Sequence, residues 1–166
     1  MKLRFAGRFS AMLRDSRKKH IWIEAFNNMP TTQGLTAILQ DFFAAGTQKT
    51  AWYFGLISSS SFSALSADDT LSSHSGWSEN TAYSESVRQQ WTPLTVNSGI
   101  IVNDTPAVFT FAAETTIRGI LIASNSTKGG TTGTIWCTAL FGSSRTIPAN
   151  TTLSLYYRLT AAGSTQ

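Results

Sequence analysis

From residue 50 onward the chain repeats one pattern: a short run of β-branched and aromatic residues, then Gly, Asn, Asp or Ser, then another run. Thr50-Ala51-Trp52-Tyr53-Phe54-Gly55-Leu56-Ile57 and Gly133-Thr134-Ile135-Trp136-Cys137-Thr138-Ala139-Leu140-Phe141 are the plainest examples. Such residues fill the half-buried pleat of a strand, and the small polar residues between them turn the chain. Runs near 50–57, 79–85, 87–92, 94–102, 107–114, 116–124, 133–141 and 152–160 give seven or eight short strands at regular spacing. This predicts a mainly β fold, an antiparallel β-sandwich of jelly-roll-like kind. Strand order is not legible at this level.

One segment breaks the pattern. After Pro30, Thr31 or Thr32 can cap a helix, and Leu35, Ile38, Leu39, Phe42 and Phe43 recur at helical spacing before Gly46. One short helix is therefore expected near residues 32–45, with that apolar stripe turned toward the core. Upstream, residues 8–27 read as a hairpin: Phe9, Ala11 and Leu13 alternate with polar neighbours, Asp15-Ser16-Arg17-Lys18 suits a turn, and Ile21, Ile23 and Ala25 resume the alternation. Phe9, Met12 and Leu13 also fit a short helix over 8–19, but Ile21-Trp22-Ile23 favours strands. The Ser- and Ala-rich stretch 58–78 is either packed down or a contact surface. The expected organisation is a basic N-terminal arm or hairpin over 1–28 and a sandwich domain over 29–166.

Charge is spread unevenly. Residues 1–20 carry seven basic side chains against Asp15, net +6, whereas residues 21–166 carry six basic and eight acidic ones, net −2. The basicity thus belongs to the first segment and points to a partner there. Arg14, Arg17, Lys18 and Lys19 cluster at the tip of the expected hairpin. No window approaches the roughly 18 apolar residues of a membrane helix. The basic start is not followed by a signal-like apolar stretch.

Residues able to do chemistry are sparse. The chain has one Cys and two His, too few for a zinc site, and Cys137 lies within an apolar strand run where it reads as a small buried hydrophobe. Lys128-Gly129-Gly130-Thr131-Thr132-Gly133 has its Lys before the glycines and a strand after them. A phosphate loop needs the reverse order and a helix, so this is a hairpin connection with positive φ. Asp68-Asp69 is adjacent rather than alternating, which suits capping better than calcium. His74 has no nucleophile motif beside it, and no enzyme and no cofactor are expected. Trp77 and Trp91 border the loop regions and are the aromatic residues expected to be exposed for contact.

Several stretches in order carry a resemblance: Phe26-Asn27-Asn28 leading to Thr32-Gln33-Gly34-Leu35, Trp52-Tyr53-Phe54-Gly55-Leu56, His74-Ser75-Gly76-Trp77-Ser78-Glu79 with Thr81-Ala82-Tyr83, Arg88-Gln89-Gln90-Trp91, and Ser126-Thr127-Lys128-Gly129-Gly130-Thr131-Thr132-Gly133. Together they resemble a family of small virion proteins of tailed bacteriophages, over most of the chain from about residue 8. The resemblance implies a structural virion component with a β-sandwich body and no catalytic residue. The expectation is a capsid decoration or cement protein on the outer head, assembled in the host cytoplasm. It would be a homo-oligomer whose partner is the major capsid protein or another virion protein, with no membrane and no nucleic acid engaged. Arg14, Arg17, Lys18 and Lys19, with Trp77 and Trp91, are the expected contact residues. The alternatives are a neck, tail or head-fibre adaptor and a carbohydrate-binding receptor module.

Overall fold

The computed structural model describes residues 2–164, and among these the chain forms eleven strands and one helix. In order they are β1 (Lys2–Arg14), β2 (His20–Asn27), β3 (Met29–Pro30), α1 (Thr32–Phe43), β4 (Trp52–Ser58), β5 (Glu79–Asn80), β6 (Gln89–Trp91), β7 (Ile100–Val102), β8 (Ala107–Phe111), β9 (Thr115–Ala123), β10 (Ile135–Ile147) and β11 (Thr151–Ser164). They build two antiparallel sheets. A five-stranded sheet runs β2-β1-β11-β7, with β8 also on β11. A six-stranded sheet runs β3-β10-β9-β4-β5, with β6 also on β4. The chain is thus a mainly β, antiparallel sandwich with an N-terminal hairpin and one short helix, as its alternation predicts.

The hairpin is not an appended arm. Its first strand reaches back to Lys2 and pairs with β11 along its whole length, from Lys2↔Ser164 to Arg14↔Thr152. The physical reason lies in the odd positions of β1: Phe9, Ala11 and Leu13 are fully buried between the sheets. A strand that supplies so much core belongs inside a sheet, and β1 lies between β2 and β11. Of the arm or hairpin expected over 1–28, the structure has the hairpin, held by its own chain's β11.

The core between the sheets gathers Phe9, Phe54, Phe109, Phe111, Phe141 and Tyr157, all essentially without exposure. Phe9 packs on Tyr157 at 4.6 Å between ring centroids. The phenol is satisfied: Trp136 Nε1 donates to it at 2.7 Å and Asn28 Nδ2 at 3.0 Å. A Cβ on Gly7 would fall 2.2 Å from that hydroxyl, so only glycine lets β1 pass. Cys137 is fully buried as expected, and burial pushes its thiol up to about 12.

The helix occupies the expected place but turns a different face inward. Thr31 caps it by accepting from Gly34 N–H. Gly34 and Ala37 are the buried helical residues, with Ile38 packed at the core's margin. The sequence points to the stripe of large apolar residues as the packing face; the small ones take that role instead. A Cβ on Gly34 would lie 2.5 Å from the Trp136 carbonyl oxygen, so the missing side chain is what lets α1 approach β10. Leu35, Leu39, Phe42 and Phe43 are left exposed.

Segment 58–78 is packed down. Leu71 and Trp77 cover the outer side of the six-stranded sheet and form a second apolar cluster with Ile57, Leu121, Ala123 and Ile135. The strand expected over 79–85 shrinks to Glu79–Asn80, because residues beyond it leave the ladder for a polar network described below.

Candidate interaction surface

The outer side of the five-stranded sheet is built by simple alternation. With Phe9, Ala11 and Leu13 inward, the even residues of β1 point out: Arg4, Ala6, Arg8, Ser10, Met12 and Arg14. Leu153, Leu155 and Tyr157 are inward on β11, so Thr152, Ser154, Tyr156, Arg158, Thr160 and Ala162 point out. The β1–β11 register then places Arg8 directly opposite Arg158, Ser10 opposite Tyr156 and Met12 opposite Ser154. Ile23 extends the Met12 row on β2, and Val108 extends it on β8.

Four arginines therefore share one sheet face, and no carboxylate stands at an outward position on its strands. Arg4, Arg8 and Arg158 are exposed and Arg14 is half-buried. The ion pairs among the described residues are Lys49–Asp41, Arg88–Glu79 and Arg145–Glu24, and none includes these arginines. At the far end of β1 the hairpin tip adds Arg17, Lys18 and Lys19, all exposed. That tip is rigid: Asp15 Oδ1 accepts from the N–H groups of Arg17 and Lys19, each at 2.9 Å, and Lys18 sits at φ 63°. The tip cluster read from the sequence is thus one end of a longer cationic face. Arg4 and Arg8 were legible in the β1 alternation itself; Arg158 became visible only through pairing across the length of the chain.

Trp77 and Trp91 are not on any surface, which corrects their expected exposure. Trp77 is 5% and Trp91 7% exposed. Trp77 donates its indole N–H to Asp69 at 2.8 Å and stacks on His74 at 4.0 Å. Trp91 packs on Tyr157. Loop-bordering tryptophans read as contacts because neighbouring polarity suggested solvent, yet Trp77 packs down on the six-stranded sheet and Trp91 turns from β6 into the core.

Three of the segments that carry the resemblance, around residues 79–83, Arg88 and residues 128–130, meet in one internal network. Arg88, fully buried at its side chain, binds both carboxylate oxygens of Glu79, Nε to Oε1 at 2.9 Å and Nη2 to Oε2 at 2.7 Å. Its Nη1 donates to the Asn125 carbonyl and its Nη2 to that of Gly130. Gly129 N–H also donates to Glu79, and Lys128 Nζ donates to the Tyr83 and Glu85 carbonyls while lying 4.0 Å from the Tyr83 ring centroid. The Arg88 and Lys128 donors are thus used inside the fold, and the network ties the β9–β10 connection to the chain after β5. Gly129 and Gly133 have positive φ, as a hairpin connection there requires. Burial raises the Tyr83 phenol far above its ordinary range.

A pocket of about 340 Å³ between α1 and the chain before β4 is lined by Ile38, Asp41, Phe42, Gln48, Lys49 and Trp52. Its two charges face each other, Lys49 Nζ to Asp41 at 3.4 Å. Among the described residues no three of His, Cys, Asp and Glu come together, and no helix is long and apolar enough to cross a membrane. No known family model matches this chain, and no curated protein gives a significant match.

Proposed function

We propose that this chain is a structural protein of a tailed-bacteriophage particle, a capsid decoration or cement protein that docks by the open cationic face of its five-stranded sheet. The observation that carries the reading is the Arg8–Arg158 pair, two exposed like charges directly opposite on neighbouring strands with no carboxylate on the face. Such a pair costs the fold about 0.2–1 kcal/mol and returns nothing to it. An anionic protein surface outside the chain turns that cost into attraction. The order of motifs in the sequence supplies the phage context, and the major capsid protein is the partner proposed.

Single exposed ion pairs are worth only about 0–1 kcal/mol, so grip comes from many copies on a repeating shell. The test is cosedimentation with particles of the phage that carries this sequence, at rising salt. The wild type is expected to cosediment and to release as salt screens the contact, and Arg8→Glu with Arg158→Glu to stay in solution. Docking indifferent to salt and to charge reversal overturns the reading, as does equally tight binding to double-stranded DNA. Copy number then refines it: hundreds per particle fit a decoration protein, whereas about a dozen move the chain to the neck or tail. The carbohydrate-binding alternative loses its proposed residues, since Trp77 and Trp91 are buried.

A further inference from the structure

The helix carries an apolar stripe that nothing among the described residues covers. Phe42 and Phe43 are each 80% exposed, Leu39 58% and Leu35 40%. At about 200 Å² for a whole phenylalanine side chain, the two rings alone expose roughly 300 Å². With the leucines, the stripe lies in the range of about 300–600 Å² that marks the largest, commonly functional, apolar patch on a monomer. We propose that this stripe is the contact through which two copies of this chain associate, α1 against α1 about a twofold axis.

Three observations choose a second copy over other occupants. Charge comes first: within α1 the only ionised residue is Asp41, which is turned to Lys49 rather than along the stripe. Two stripes therefore meet without repulsion, whereas the cationic sheet face repels its own copy. The polar side of α1 offers Thr32, Gln33, Thr36 and Gln40, and no Lys or Arg. A helix that lies on an anionic membrane carries basic residues there, so a lipid surface does not fit.

Area comes second. Two such stripes face to face, with the exposed Ala44 and Ala45 beside them, cover on the order of 1,000 Å², about what a specific interface needs. Shape comes third. Phe43 is 80% exposed, and its neighbour Phe42 lines the pocket with Trp52. A knob and a hole on one patch are what an isologous contact requires.

Position makes the contact compatible with docking. Ile38 lines a small apolar pocket with Leu159, and Leu159 pairs with Gly7. Arg14 lies seven residues further along β1, roughly 23 Å away at about 3.3 Å per residue. The hairpin tip thus lies at the far end of β1 from the helix, whereas Arg8 and Arg158 stand one residue from the Gly7–Leu159 pair and turn to the outer side of the sheet; the inference stands whether or not the cationic face docks on a phage shell.

The test is sedimentation equilibrium of the full chain from low to high micromolar concentration. The expected result is a reversible monomer–dimer equilibrium, weakened about tenfold or more by Phe42→Ser with Phe43→Ser. Arg8→Ser is expected to leave that equilibrium as it is. Because the double variant can fail to fold, Leu39→Cys, at the middle of the stripe where a twofold axis brings a residue against its own copy, gives a second reading. Under mild oxidation it should form a covalent dimer, while buried Cys137 of the wild type does not. A wild type that stays monomeric at high concentration overturns the inference. So does an oligomer that Leu39→Cys cannot trap, or a monomer whose stripe binds vesicles of zwitterionic or anionic lipid.

Discussion

The two sheets of this sandwich follow the same alternation yet present opposite outer sides. On the six-stranded sheet the outward residues are apolar, Ile57, Leu121, Ala123 and Ile135, and the 58–78 segment lays Leu71 and Trp77 over them. On the five-stranded sheet arginine, serine and threonine share the outward positions with Met12, Ile23, Val108 and Tyr156, and nothing among the described residues covers them. A strand with apolar residues on both sides must be covered twice, and its own loop does so here. A strand that alternates cleanly needs one cover only. The difference separates a side used for stability from a side left open, the one on which the proposed docking would occur.

Removing the cover should be the most costly change. Trp77→Ala deletes a buried indole over Ile57 and Leu121 and strips a donor from Asp69, so a loss of about 3–5 kcal/mol is expected in urea unfolding. Docking per folded molecule should not change. A loss below about 1 kcal/mol would mean that the segment merely lies on the sheet, and the contrast between the two sides would fail.

Alkaline pH tests the interior between the sides. Burial lifts Cys137 from 9.0 to about 12 and holds Tyr157 and Tyr83 above their ordinary 10.0. These groups stay neutral in the folded chain and ionise first in the unfolded one. Their contribution is therefore whole below about pH 9 and lost as pH rises toward 12, at up to about 1.4 kcal/mol per pH unit for each group. Urea midpoints measured against pH should be flat and then fall, and Cys137→Ala should delay the onset toward pH 10. A curve unchanged by Cys137→Ala would show that the thiol is not held in the dry interior.

The alternation that makes these sides was legible wherever the period of two ran uninterrupted. Phe9, Ala11 and Leu13 gave the hairpin its inward side, and Ala107, Phe109 and Phe111 did the same for β8. The helix was legible as an element and misleading as a surface. Hydrophobic periodicity measures where large apolar residues stand, whereas close packing of α1 on β10 was decided by Gly34 and Ala37, which carry little hydrophobic signal. Trp77 and Trp91 were misplaced for a related reason, since burial of an indole depends on which sheet side its segment packs against. Arg158 needed the pairing of the first strand with the last, a contact that no local pattern encodes. The Glu79–Arg88 pair was equally silent, because its value lies in the Asn125 and Gly130 carbonyls that complete it.

At the tip of the open side, strain and function should separate. Lys18 holds a left-handed backbone at φ 63°, which a residue with a Cβ adopts at a cost of about 1–2 kcal/mol. Lys18→Gly relieves it and loosens the unfolded chain, so a net gain of roughly 0.5–1 kcal/mol is expected, together with weaker docking. Arg8→Ser should act in the same sense and more weakly. Removing one member of the Arg8–Arg158 pair is expected to stabilise the fold by a few tenths of a kcal/mol at low salt, with the gain fading as salt is raised. Both substitutions improve the fold and impair the contact. The opposite sign at Arg8, a loss of stability, would mean that its side chain packs on Met12 or Tyr156 for the sake of the sheet. The open side would then be as structural as the covered one.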